Sequence, residues 1–106
     1  MTDGLERFAR DFKPGSVLFE EGQPGDFMYV VQSGEGEIRR QVGETERVLA
    51  VLTPGDFLGE IALVTGAPRT ATVTTTSPSR MLVITARDFR TLLRRMPSLQ
   101  IKVLEE

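Results

Sequence analysis

The chain has 106 residues, 40% of them hydrophobic, which is the size and composition of one globular domain with a single core. It contains no cysteine and no histidine, so disulfides are excluded and the usual protein ligands of zinc, haem and iron–sulfur clusters are missing. Its net charge of −2 argues against direct binding of nucleic acid by this domain.

The N-terminal segment predicts a short amphipathic helix. Leu5, Phe8 and Phe12 recur at helical spacing with charged residues between them, and Pro14 ends the pattern. Residues 1–13 are therefore assigned to an N-terminal helix. The segment has no signal-peptide pattern, and no apolar run of the chain approaches about 18 residues. We expect a cytoplasmic domain without a membrane segment.

The middle of the chain, residues 14–85, predicts a mainly β structure. Pro-Gly pairs punctuate segments that are rich in Val, Ile, Thr or aromatic residues. The sequence Val-Gly-Glu-Thr at residues 42–45 predicts a hairpin turn between two of them. Many short strands of this kind indicate a sandwich, a jelly roll or a barrel. The predicted strands are residues 17–20, 27–32, 37–42, 47–53, 71–76 and 80–85.

After the last predicted strand the hydrophobic period changes from two to 3.6 residues. Thr85 and Asp88 form a Thr-x-x-Asp pattern that is typical of a helix N-terminus. Pro97 breaks this helix, and Ser98 can cap a second, short one. Residues 86–106 are therefore predicted to form C-terminal helices. The apolar face of the first comprises Phe89, Leu92, Leu93 and Met96.

The segment most informative about function is FLGEIALVTGAPRTATV, residues 57–73. Pro68 limits the apolar run before it to one or two helical turns, so a short helix inside a loop is predicted. The first N–H groups of such a helix and the guanidinium of Arg69 can hold an anion between them. Glu60 would repel a phosphate unless it accepts hydrogen bonds from neutral hydroxyls, as a sugar offers. Phosphate, sugar and apolar surroundings together indicate a mononucleotide ligand.

This segment resembles the phosphate-binding cassette of the cyclic nucleotide-binding domain family, whose members include regulatory subunits of cAMP-dependent protein kinase, the bacterial catabolite activator protein and cyclic-nucleotide-gated channels. The family pattern is matched by FLGEIAL, by the loop VTGA and by PRTATV. The segment YVVQSGEGEI, residues 29–38, is also similar to the family. The resemblance runs from about residue 12 to residue 96 and implies one domain over residues 1–106. The implied fold is a short-stranded β-roll or jelly roll with flanking short helices.

The resemblance also implies roles for individual residues. Arg69 would bind the cyclic phosphate, Glu60 would accept the ribose 2′-hydroxyl, and Gly59 would let the backbone approach the ligand. The amides of Ala62 and Ala71 would meet the phosphate or the ribose. The full set of implied ligand-binding residues is Gly59, Glu60, Ile61, Ala62, Arg69, Thr70 and Ala71.

Each of these residues also has a simpler explanation. Arg69 can pair with an acid to hold a loop, Glu60 can favour a helix N-terminus through the helix dipole, and Thr70 can be an ordinary strand residue. Thr70 does not decide between adenine and guanine. Several apolar residues can be core or can line a base pocket, since pockets are lined mainly by apolar side chains. They are Leu49, Val51, Leu63 and Val73, with Ile61 beside them.

The predicted function is a cyclic nucleotide sensor that recognises cAMP first and cGMP second, needs no cofactor and carries no catalytic or metal site. By resemblance, the C-terminal helix closes over the base and passes occupancy to an effector domain or partner protein outside this chain. A ligand-free interaction or dimerisation module on the same fold is the alternative, with a second copy as one partner. A hydrolytic enzyme is a weaker hypothesis, because no nucleophile–base pair is visible.

Overall fold

Alternating apolar residues build two antiparallel sheets in the computed structural model, which describes residues 5–59, 63 and 65–95. A 3₁₀ turn at Glu6–Phe8 precedes the first strand. The strands are β1 (Ala9–Phe12), β2 (Val17–Phe19), β3 (Phe27–Ser33), β4 (Gly36–Val42), β5 (Thr45–Leu52), β6 (Phe57–Leu58), β7 (Thr72–Thr75) and β8 (Ser79–Thr85). Helix α1 (Ala86–Arg95) follows β8 directly.

The strand order is that of a jelly roll. One sheet has the order β1-β8-β3-β6 and the other the order β2-β7-β4-β5. Each sheet thus alternates strands from the two ends of the chain, and the first strand lies beside the last. The predicted mainly β roll with flanking short helices is confirmed.

The main core lies between the two sheets. In β3, Tyr29 and Val31 point towards the second sheet, where they pack with Val73 of β7 and Leu52 of β5. Val73 is 1% exposed. Burying side chains of this size stabilises the fold by roughly 1.5–3 kcal/mol each. The apolar residues that alternate along each strand therefore face the same side of the sheet and form this core.

The opposite face of the first sheet is also covered. Met28 alternates with Tyr29 along β3 and packs with Phe8 of the 3₁₀ turn and Phe89 of α1. The amide of Asp88 donates to the Thr85 hydroxyl at 3.1 Å, so the predicted helix start is confirmed. Among the described residues, no helix has the length and apolar character needed to cross a membrane. The predicted second C-terminal helix lies outside the described residues.

The prediction of an N-terminal helix over residues 1–13 is wrong for Ala9–Phe12, and its first four residues lie outside the described residues. Ala9–Phe12 is strand β1, which pairs with β8 from Ala9↔Leu82 to Phe12↔Ser79. Phe8 is buried against α1, whereas Phe12 packs into the core between the sheets. Spacing of apolar residues suited a helix locally, but pairing with a strand about 70 residues away decides the structure.

The predicted hairpin at residues 42–45 is confirmed, with longer strands than expected. β4 and β5 pair from Val42↔Thr45 to Gly36↔Leu52, with an irregularity between Ile38 and Arg39. Gly43 turns the chain at a φ of +63°, a conformation that side chains disfavour. The short strand β6 was not predicted, because two residues give no periodic signal.

Candidate ligand-binding site

The backbone of Arg69 is held by hydrogen bonds to a neighbouring loop, in addition to the contacts of its side chain. Its amide donates to the carbonyl of Gln23 at 2.8 Å, and its carbonyl accepts from the amide of Gly22 at 2.7 Å. Gly22 and Gln23 belong to the loop between β2 and β3. The amide of Glu21, in the same loop, donates to the Thr72 hydroxyl at 3.0 Å. This loop therefore holds the chain on both sides of Arg69.

The guanidinium of Arg69 is buried, with only 6% of the residue exposed. Nη1 donates to the carbonyl of Gly59 at 2.9 Å, and Nη2 donates to the carbonyl of Phe27. The guanidinium carbon lies 4.0 Å from the centre of the Phe19 ring. Three parts of the chain thus meet at the Arg69 side chain. They are the residue after β6, the first residue of β3 and the last residue of β2. A charge so placed is permanent at any physiological pH.

Gly59 is required by the closeness of this packing. Its φ is +87°, and a Cβ built on it would lie 2.5 Å from Nη1 of Arg69 and 3.2 Å from the carbonyl oxygen of Phe27. A side chain at this position would displace the guanidinium. The prediction that Gly59 lets the backbone approach a ligand stays a prediction, and the described close approach is to Arg69 and Phe27 of the protein itself.

Two aromatic rings support the arginine. Phe19 lies against Tyr29, with ring centres 5.9 Å apart and planes tilted by 36°. The Tyr29 hydroxyl donates to the carbonyl of Leu18 at 3.0 Å. Burial raises the pKa of Tyr29 above its ordinary value, and the positive charge of Arg69 opposes that rise. Tyr29 is therefore neutral at physiological pH.

The other predicted ligand-binding residues fall into two groups. Ala71 is 7% exposed and Thr70 is exposed, and both lie between Arg69 and the start of β7. Residues 60–62 lie outside the described residues, so the roles given to Glu60, Ile61 and Ala62 stay predictions. Leu63 and Thr65 have helical backbone, which agrees with the predicted short helix at the two points that the structure describes.

The predicted base-pocket residues are spread over different faces. Val73 lies in the core between the sheets, and Leu63 packs on the other cluster, with Phe89. Leu49 and Val51 are each 54% exposed. Because Ile38 pairs with both Val73 and Ala50, the register puts Ala50 of β5, rather than Val51, on the face of Val73.

Phe19 and Phe27 were not identified from the sequence as parts of this site. Both are apolar residues in predicted strands, and the strand pattern assigns such residues to the core. Nothing in that pattern shows that a ring will lie under a guanidinium 50 positions later in the chain. The nearest signal is the Gly-rich loop that follows Phe19, which brings β2 towards the cassette.

The family model described as "Cyclic nucleotide-binding domain" matches residues 9–96, most of the chain. The chain belongs to the cyclic nucleotide-binding domain family. The chain is 42% identical over 79 residues to an uncharacterized ABC transporter ATP-binding protein from Mycobacterium tuberculosis, covering 74% of this chain and 24% of that protein. It is 40% identical to the cAMP-dependent protein kinase regulatory subunit of Yarrowia lipolytica, covering 76% and 21%.

A solved structure is also similar to this cyclic nucleotide-binding domain. The regulatory domain of Toxoplasma gondii PKA, crystallised with cAMP, superimposes with a TM-score of 0.75 at 36% identity, covering 78% of this chain and 32% of that one. The chain spans about a quarter of the length of the two curated relatives named above. The family resemblance predicted from residues 57–73 is therefore confirmed.

Proposed function

We propose that this domain binds one cyclic purine mononucleotide, cAMP in preference to cGMP, and acts as a sensor. One observation carries the proposal: a buried arginine of the cassette segment, Arg69, is held by two backbone carbonyls and an aromatic ring. Ordering a long side chain before the ligand arrives lowers the entropy cost of binding. The Toxoplasma relative crystallised with cAMP supports the choice of ligand.

In the proposed complex the cyclic phosphate accepts hydrogen bonds from Arg69. A guanidinium offers five N–H donors in a planar fork, so it can bind phosphate oxygens while it contacts carbonyls. Charge-assisted hydrogen bonds of this kind are about twice as strong as neutral ones. Glu60 would accept the ribose hydroxyl, as the resemblance implies. The base would meet apolar residues, with Thr70 at the edge of the site.

The proposed chemistry is recognition without turnover. The chain has no histidine to serve as a general base, and no nucleophile–base pair is visible in its sequence. Among the described residues, no group of acidic side chains is arranged to hold a metal ion. We expect cAMP to be recovered unchanged after prolonged incubation with the protein. Chromatography measures the nucleotides, and the appearance of 5′-AMP would contradict this part of the proposal.

Occupancy would be relayed through the C-terminal helices. Helix α1 packs on the first sheet through Phe89, next to Leu63 of the cassette, so a shift of the cassette reaches the helix directly. The ligand would favour one of two arrangements that the protein already samples. Hydrogen exchange of residues 86–95 should slow when cAMP is added. Unchanged hydrogen exchange at saturating cAMP would contradict the proposed relay but not the proposed binding of cAMP.

The proposed binding function is tested by titrating cAMP and cGMP in a calorimeter. We expect saturable binding, tighter for cAMP, and a loss of affinity of about a hundredfold or more in Arg69→Ala, because a buried charge partner is removed. Arg94→Ala is the matched control, since Arg94 is an exposed arginine on α1. Its affinity should equal that of the wild type.

Two outcomes would contradict the sensor proposal. Equal losses in Arg69→Ala and Arg94→Ala would show that a general charge effect, and not a phosphate site, governs binding. Absence of heat and of any thermal shift with both nucleotides, in a sample shown to be folded, would favour the ligand-free interaction module. That alternative finds some support in the exposed apolar residues of β5, which are Val48, Leu49 and Val51.

A further inference from the structure

We propose that Phe19 is a positioning residue for the nucleotide site, which holds the Arg69 guanidinium in place before the ligand arrives. The inference rests on the proposed function of Arg69 as the phosphate-binding residue. The observation behind it is the distance of 4.0 Å between the guanidinium carbon and the centre of the Phe19 ring. A cation so close to an aromatic face is attracted by the ring quadrupole.

The ring gives Arg69 a contact of a different kind from those of the two carbonyls. The carbonyls of Gly59 and Phe27 accept hydrogen bonds from Nη1 and Nη2. The guanidinium carbon lies 4.0 Å from the centre of the Phe19 ring, so the aromatic face attracts the cation itself. The place at which Arg69 holds its positive charge for a phosphate therefore depends in part on the ring.

Phe19 itself is held in place from behind. Its ring rests against Tyr29, at 5.9 Å between centres, and Tyr29 is 7% exposed. The Tyr29 hydroxyl donates to the carbonyl of Leu18, the residue before Phe19, at 3.0 Å. Ring and backbone of β2 are thus both anchored to β3. A side chain anchored in this way can hold the arginine in one place.

The role requires an aromatic face rather than apolar bulk. Leucine at position 19 would fill much of the same space, but it has no quadrupole to attract a cation. Tyrosine would keep the face. The prediction is therefore a difference between Phe19→Leu and Phe19→Tyr, which a simple packing role does not give.

The first test is cAMP affinity by calorimetry in these two variants and in Phe12→Leu. Phe12 is the matched control, because it is also a partly buried phenylalanine packed against the core between the sheets. We expect Phe19→Leu to bind cAMP about tenfold more weakly, as for loss of one desolvated cation–π contact. Phe19→Tyr and Phe12→Leu should bind like the wild type. Equal affinity in Phe19→Leu and Phe12→Leu would overturn the inference.

The second test needs no ligand. In ¹H–¹⁵N spectra, the side-chain N–H proton of Arg69 should carry an upfield ring-current shift. Its resonance is identified by its loss in Arg69→Lys. That shift should vanish in Phe19→Leu and persist in Phe19→Tyr and Phe12→Leu. An unchanged shift in Phe19→Leu would show that the ring does not lie over the guanidinium, and would overturn the inference whatever the nucleotide does.

The two tests separate this inference from the function on which it rests. If the wild type binds cAMP but Phe19→Leu binds equally well, only the positioning role fails. If the folded wild type binds neither cAMP nor cGMP, the proposed function fails and the positioning role fails with it. In that case the ring-current shift still reports whether the stack is formed.

Discussion

Two arginines of this domain illustrate opposite ways of holding a guanidinium. Arg69 is 6% exposed, and its described hydrogen bonds reach carbonyls 10 and 42 residues away in sequence. The side chain of Arg39, in the β4–β5 hairpin, is 38% exposed and pairs with Glu37 and Glu46, two and seven residues away. The first is held by the tertiary fold, and the second by its own hairpin.

This difference decides which arginine can serve as a prearranged binding group. The carboxylates beside Arg39 neutralise its charge and occupy its fork, at 2.5 Å and 3.2 Å. The described contacts of Arg69 are with two carbonyls and a ring from other parts of the fold, which hold its charge in one place. Solvent and salt screen the Arg39 pairs, whereas they reach the buried group far less. The following predictions test that contrast, from the largest expected effect to the smallest.

Substituting Gly59 should have the largest effect. In Gly59→Ala the new methyl group would lie 2.5 Å from Nη1 of Arg69, and the backbone would keep an unfavourable φ of +87°. Gly55→Ala is the matched control, because Gly55 has a φ of +96° with no atom within 4 Å of the added Cβ. Both variants should lose about 1–2 kcal/mol of stability from the backbone alone.

Gly59→Ala should lose a further 1–3 kcal/mol or so from overpacking, and cAMP affinity should fall with it. Chemical denaturation and calorimetry measure the two quantities. If both alanine variants are destabilised equally and both bind cAMP like the wild type, the contact between Gly59 and Arg69 does not constrain the site.

The ionisation of Tyr29 should report the charge of Arg69. It is the only tyrosine and the chain has no tryptophan, so absorbance at about 295 nm follows this one phenol. Arg69 lowers the pKa of Tyr29, although burial has the larger, opposite effect. Arg69→Gln should therefore raise this pKa further, while Arg39→Gln should leave it unchanged. A titration curve that is identical in all three proteins would show that Tyr29 does not sense Arg69.

The raised pKa of Tyr29 also predicts how the free energy of unfolding changes at alkaline pH. Burial raises the folded-state pKa of Tyr29 above the ordinary value of about 10. Its contribution to stability is therefore fully present below pH 10 and is lost as the pH rises through the folded-state pKa. Tyr29→Phe should unfold with a weaker pH dependence above pH 10 than the wild type, measured by denaturant midpoints. An equal slope in both proteins would assign the alkaline loss to other groups.

Removing Arg39 should have the smallest effect. Arg39→Ala breaks two exposed ion pairs, and such pairs contribute little once solvation and side-chain entropy are counted. We expect a small decrease in Tm at low salt that disappears at high salt, with unchanged cAMP affinity. A large decrease that persists in high salt would mean that the hairpin depends on this network more than its exposure indicates.

The strands of this fold could be predicted because their signal is local. A few consecutive positions are enough to show the alternation of residues such as Met28 and Tyr29, or a turn such as Gly43-Glu44. Strand β1 could not be predicted, because its four residues become a strand only when β8 is present to pair with them. The short strand β6 was not predicted either, because its two residues give no periodic signal.

The site was predictable only to the extent that it follows one segment of the chain. Arg69 and Gly59 were identified because both belong to the cassette pattern, which spans 17 consecutive residues. The partners of Arg69 that come from β2 and β3 are set by the packing of two sheets, which no spacing in the sequence records. A contact across 50 residues depends on the whole topology, and that topology became available only with the structure.

The pairing of the first strand with the last also determines how the domain responds to tension. Ala9 lies opposite Leu82, and β8 ends three residues later at Thr85, so the two ends of the β-roll leave from the same end of the sheet. Because β1 and β8 are antiparallel, we expect a pull between residues 9 and 85 to break their backbone hydrogen bonds one after another, beginning at Ala9↔Leu82. The other six strands stay paired meanwhile, and the carbonyls and the ring that hold Arg69 belong to them or follow them. We therefore expect tension applied at these two points to load the β1–β8 pairing and to leave the described contacts of Arg69 in place.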